Sequence, residues 1–115
     1  METQKEIQYG KEDILETPQT MEVAVTELTI KKGKDIFVDK EGTVKTDDPE
    51  KEFIVLYVEN DTYNFKRDYH IAKYPSGKVP DSSNLGKFIK RYGKLETGMK
   101  LSVMKNIHGF YDLIY

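Results

Sequence analysis

Apolar positions in this chain recur every second residue over most of its length, and at helical spacing in one place only. Met21, Val23 and Val25 alternate with Glu22 and Ala24, and the apolar set then moves to Leu28 and Ile30. That slip of phase near Val25 and Thr26 predicts a β-bulge, because one face of a strand must stay buried and an extra residue bends the strand without exposing it. The unbroken run Phe53 to Val58 follows a polar, Pro49-containing loop over Thr46 to Lys51, and reads as a central strand buried on at least one face. Asn60-Asp61 then turns into Tyr63 to Ile71, which alternates strictly apart from Arg67 and completes a hairpin. Between the first two long strands, Lys31 to Lys34 reads as a basic turn. Ile36–Val38 and Thr43–Lys45 flank Asp39 to Gly42 as a small hairpin.

The helical exception is Leu85, Phe88, Ile89 and Tyr92, at i, i+3, i+4 and i+7, which predicts one apolar stripe on a helix of about three turns or fewer. Asp81, Ser82 and Ser83 offer N-caps, and Gly93 stands at the C-cap. Tyr74 to Pro80 is a loop, since its prolines and glycine interrupt either regular structure. After the helix, Thr97-Gly98 leads into Met99–Val103 and His108-Gly109 into Phe110–Tyr115, with Tyr111, Leu113 and Tyr115 on one side. Strands, one short helix and a terminal strand pair predict a mainly β fold. It is an OB-like five-stranded barrel with the helix between the third and fourth strands. Residues 1–20 read as an acidic, loosely docked or disordered tail, and residues 21–115 as the barrel domain.

Composition narrows the chemistry. At 115 residues the chain is long enough for one core and too short for two. Tyr outnumbers Phe, eight to five, and only Ala24 and Ala72 are alanine, which suits strands and contact surfaces over a helical bundle. With no cysteine, disulfides, thiolate metal sites and cysteine nucleophiles are excluded. His70 and His108 have no carboxylate at metal-ligand spacing, and Asp39 to Glu50 lacks the order of a calcium loop. No phosphate-binding glycine loop or serine triad is present, so the expectation is a non-enzyme without metal or cofactor. No apolar run reaches the roughly 18 residues that cross a bilayer, and the N-terminus lacks signal-peptide character, so the expected location is cytoplasmic. The Lys- and Glu-rich composition resembles that of hyperthermophile proteins.

Charge is unevenly spread. Residues 1–20 carry a net -3, residues 21–61 a net -5 and residues 62–115 a net +6, within a total of -2. A cationic half satisfies the minimum electrostatic condition for holding phosphates. If Ile54, Leu56 and Val58 face the core, Phe53, Val55 and Tyr57 face outward, and Phe53 with Tyr57 forms a stacking platform. Lys66 faces the same way on the next strand, whereas alternation puts Arg67 on the apolar side and implies a bulge or an edge position there. Lys87, Lys90, Arg91 and Lys94 lie opposite the helix stripe with no acidic residue among them, and Lys100 and Lys78 extend the patch. The expected partner is single-stranded nucleic acid, held by stacking on Phe53 and Tyr57 and by phosphate contacts from Lys66, Arg67, Lys87, Lys90, Arg91 and Lys100. The competing expectation is a protein-interaction module, a homodimer or a binder of another protein, in which the same aromatics are covered.

Ser83 to Gly93 reads S-N-L-G-K-F-I-K-R-Y-G, followed by a G-M-K-L-S-V strand and a G-F-Y-D-L-I strand. Over roughly Phe53 to Tyr115 this resembles small OB-like proteins of phages and archaeal mobile elements, in which a Leu-Gly-Lys-Phe helix closing on Gly precedes two terminal strands. The resemblance implies an OB barrel and an accessory role in binding single-stranded DNA. The acidic first half and the Asp39 to Glu50 insertion depart from that pattern.

Overall fold

The computed structural model describes residues 17–74 and 77–115. Five antiparallel strands, β1 (Thr20–Lys32), β2 (Glu52–Asn60), β3 (Phe65–Ala72), β4 (Lys100–Lys105) and β5 (Tyr111–Leu113), lie in the order β3-β2-β1-β4-β5 and curl into a nearly closed barrel. β1 makes this possible by serving two neighbours. Thr20 to Ala24 pair with β4, Ala24 to Lys32 pair with β2, and the register shifts between Val25 and Glu27, where the hydrophobic phase slips. The extra residue bends β1, so that Val25 before the bulge and Leu28 after it both point inward.

The barrel is OB-like, with the short helix α2 (Asn84–Tyr92) between β3 and β4. Ser83 caps it, its hydroxyl accepting from the Gly86 amide at 3.0 Å and donating to the Pro80 carbonyl at 2.7 Å. Gly93 ends it at φ 86°, a conformation glycine adopts without strain. Leu85 and Phe88 enter the barrel, where Phe88 is fully enclosed with Val23, Leu56, Ile71, Leu101 and Val103. Burying such a ring contributes about 1.5–3 kcal/mol. Tyr92 fixes the far end: its hydroxyl donates to the Ile114 carbonyl at 2.8 Å and accepts from the Ser102 amide at 3.2 Å.

Ile89 departs from the expected stripe. It is 40% exposed, on the flank of a stripe whose Leu85 and Phe88 are the members that enter the core. The segment Lys31 to Lys34 is also not a simple turn. Lys31 and Lys32 are still in β1, and Gly33–Ile36 forms a single helical turn, α1. The expected small hairpin follows, bridged between Val38 and Val44.

No ladder joins β3 to β5 among the described residues; side chains close the seam instead. The Tyr69 hydroxyl donates to the Tyr111 carbonyl at 2.8 Å, and the Phe65 and Tyr111 rings meet edge to face at 5.3 Å. Of the expected tail, residues 1–16 fall outside the described residues. Its last part lies along β4: the Gln19 side chain donates to the Lys105 carbonyl, Lys105 donates to the Thr17 hydroxyl, and the Tyr111 hydroxyl donates to the Pro18 carbonyl.

Candidate functional site

Strand pleat and register place the outer face of β1-β2-β3. On β2, Leu56 and Val58 point into the core, so Phe53, Val55, Tyr57 and Glu59 point away from it. Their cross-strand partners are Lys31, Thr29 and Glu27 on β1, and Ala72, His70, Asp68 and Lys66 on β3. Val55 differs from the expectation of an outward, open residue. It is 2% exposed although it lies outside the core cluster, because Phe53 and Tyr57 flank it along β2 while Thr29 and His70 stand beside it on the adjoining strands. The outer face thus has its own small apolar layer.

One end of that layer is aromatic and basic. The loop between β1 and β2 returns across the sheet and sets Phe37 against Phe53 and His70, all three rings edge to face at 5.1–5.5 Å. Gly33 permits the return: its amide donates to the Lys51 carbonyl at 2.7 Å, and a Cβ there would come within 2.8 Å of the Asp48 carbonyl oxygen. The Lys51 ammonium lies 5.7 Å from the centre of the Phe53 ring and the Lys31 ammonium 5.9 Å from that of Tyr57, both within cation–π range. Hydrogen bonding to the Tyr57 hydroxyl, with smaller attraction from Asp68 and Asp35, holds the Lys31 ammonium above the ordinary lysine value. Lys32 and Lys34 are engaged by Glu50, at 2.7 and 3.4 Å.

The other end is a cleft of about 430 Å³ beside the β1 bulge, lined by Tyr57 together with Glu27, Glu59, Lys66, Arg67 and Asp68. Thr26, the bulge residue, donates its hydroxyl to the Tyr57 carbonyl at 3.2 Å and holds β2 at this point. Arg67 occupies an inward position opposite Val58. Because β3 is an edge of the sheet, its side chain escapes over the Tyr69 ring, 5.4 Å away, to solvent. The register of β3 is continuous, so the edge position and not a bulge explains Arg67.

Phe53, Tyr57, Lys66 and Arg67 are therefore brought to one region. The helix cations are not. Lys87, Lys90 and Arg91 sit on the helix that plugs the barrel mouth, on the core side of the sheet whose opposite face carries Phe53 and Tyr57. Lys90 pairs with Asp81 at 3.4 Å, Lys94 with Glu96 at 3.3 Å, and Lys100 with Glu22 at 3.8 Å, while Lys87 and Arg91 make no ion pair among the described residues. Phe37 is the member that sequence reasoning missed. Its only signal was the short apolar run Ile36 to Val38 inside a polar insertion.

A second exposed feature is the β4–β5 turn. Asn106 organises it: the side-chain carbonyl accepts from the His108 and Phe110 amides at 2.9 and 3.1 Å, and the side-chain amide donates to Asp112 at 3.3 Å. This ordered turn holds Ile107 95% exposed and Phe110 60% exposed.

Among the described residues no three His, Asp or Glu side chains converge as a metal ion would require, and no helix is long and apolar enough to cross a membrane. Fold and site define the class as a small OB-like β-barrel with an aromatic outer face. No family model, curated protein or solved structure matches the chain.

Proposed function

We propose that this protein is a non-catalytic binder of single-stranded nucleic acid, engaged through the outer face of β1-β2-β3. The observation that carries the reading is the row of half-buried rings Phe53 and Tyr57 on β2, with the exposed lysines Lys51 and Lys31 poised over them. Bases stack on aromatic rings whatever their identity, and phosphates between them seek cations at the same spacing. The lysine stems are flexible, so each yields its ring to an arriving base and takes the neighbouring phosphate. Lys66 extends the cationic set along the same face.

Phosphate binding belongs to this face and not to the helix in the proposed mode, because a strand stacked on β2 runs on the side of the sheet away from α2. With Lys31, Lys51 and Lys66 each neutralising one phosphate, log K falls against log salt with a slope of about -2 for single strands. Recruiting two further cations from the helix steepens it to about -3.5. Fluorescence anisotropy of labelled single-stranded and duplex oligonucleotides across a salt series tests this. Absence of salt-sensitive single-strand binding refutes it. The exposed Ile107 and Phe110 favour a second reading, docking of a protein partner at the β4–β5 turn. An obligate dimer by size-exclusion chromatography, with no oligonucleotide bound at low salt, selects that reading.

A further inference from the structure

The cleft beside the β1 bulge is built differently from the rest of the outer face, and the difference concerns which base it accepts. Tyr57 lines it, and two carboxylates of the lining stand directly across from Tyr57 in the sheet: Glu27 on β1 and Asp68 on β3. Lys66 and Arg67 also line it. Glu27 forms no ion pair among the described residues, and it lines the cleft at the point where the bulge shifts the register. Asp68 is less free, since part of its field acts on the Lys31 ammonium.

Resting on the single-strand reading above, we propose that this cleft is a guanine-selective subsite, with the base stacked on Tyr57 and its Watson–Crick edge hydrogen-bonded to the Glu27 carboxylate. An ionised carboxylate is acceptor-only and offers two oxygens side by side. Guanine alone among the common bases presents two adjacent donors on that edge, N1–H and the N2 amine. Cytosine and adenine present one amine beside a ring nitrogen acceptor, and thymine or uracil presents one N–H between two carbonyls; each turns a lone pair toward the carboxylate. Lys66, on the same face as Tyr57, takes the flanking phosphate, which offsets the repulsion between that phosphate and Asp68.

The test is anisotropy with labelled dT12, the same oligonucleotide carrying one central deoxyguanosine, and the same carrying one central deoxyinosine, which keeps N1–H and lacks the N2 amine. A bidentate contact gives the deoxyguanosine oligonucleotide about tenfold tighter binding than dT12, and the advantage is largely lost with deoxyinosine. Glu27→Gln abolishes the guanine preference, read as the ratio of the affinities for the deoxyguanosine oligonucleotide and dT12. Asp68→Asn retains the preference. Equal affinity for the three oligonucleotides overturns the guanine subsite while the single-strand reading stands. No binding to any of them overturns both. A lysine-rich peptide that binds in place of the oligonucleotides and is weakened by Glu27→Gln reassigns the cleft to cationic ligands and overturns the proposal.

Discussion

Replacing Gly86 by alanine sets two well-defined effects against each other. Gly86 lies in the first turn of α2, and intrinsic helix propensity favours alanine over glycine by about 1 kcal/mol, so in an isolated helix the change stabilises. In the barrel it meets the turn that caps the helix. A Cβ at Gly86 comes within 2.1 Å of the Pro80 carbonyl oxygen, 3.0 Å of its carbon and 3.1 Å of the Asp81 Cα, all backbone atoms. The same Pro80 oxygen accepts hydrogen bonds from the Ser83 amide and hydroxyl, so the capping turn cannot move aside and stay intact. Losing the cap costs about 1 kcal/mol. Shifting the helix, with Phe88 fully enclosed, adds an overpacking cost of about 1–3 kcal/mol. After the propensity gain the balance is about 2 kcal/mol of destabilisation, or about 10 °C in Tm for a domain of this size. Thermal unfolding followed by circular dichroism measures it. A Gly86→Ala variant as stable as the parent, or more so, refutes the reasoning, because propensity then outweighs the contact.

Tyr57→Ala removes one stacking surface and weakens single-strand binding by about 1–3 kcal/mol, whereas Tyr57→Phe retains most of it; equilibrium anisotropy compares the two. A combined Lys87→Gln, Lys90→Gln and Arg91→Gln variant leaves the salt slope unchanged, while Lys31→Gln with Lys51→Gln reduces it by about 1.4. Burial pushes the Tyr69 hydroxyl up to about 12 and raises that of Tyr115 as well, so an ultraviolet titration shows these tyrosines ionising after the exposed ones. Because the folded value lies above the ordinary one, the Tyr69 contribution to stability is complete below about pH 10 and is lost as pH rises through about 12. Tyr69→Phe shrinks the late absorbance change by one tyrosine and leaves the Tyr115 part; an undiminished late change in the variant contradicts the assignment.

The parts of the fold legible in the sequence were those encoded by neighbours along the chain. The bulge showed as a slip of phase at Val25 and Thr26, and the helix ends showed as Ser83 and Gly93. The first real loss concerns faces: alternation gave the direction of Val55 and Phe53 but not their cover, which comes from other strands and from Phe37 in a returning loop. Ile89 satisfies the helical period and is still exposed, because periodicity describes a stripe and not the width of what receives it. For the site, Phe53, Tyr57, Lys66 and Arg67 were legible as residues that the hairpin carries together. The helix cations entered the same candidate set through their charge and their place opposite the helix stripe, neither of which tells the two sides of a sheet apart. The reason for glycine at position 86 lies in a carbonyl across a turn, which no local pattern displays.

The gap between β3 and β5 is spanned by Tyr69 and Tyr111 without any shared ladder, so the circumference of this barrel is set by side chains. Main-chain pairing therefore stops short of the full circle, and the last closure is made by one phenol hydroxyl and one pair of rings. The strand at this slit is paired along its length with the one that carries Phe53 and Tyr57, so the aromatic row lies one strand away from the seam.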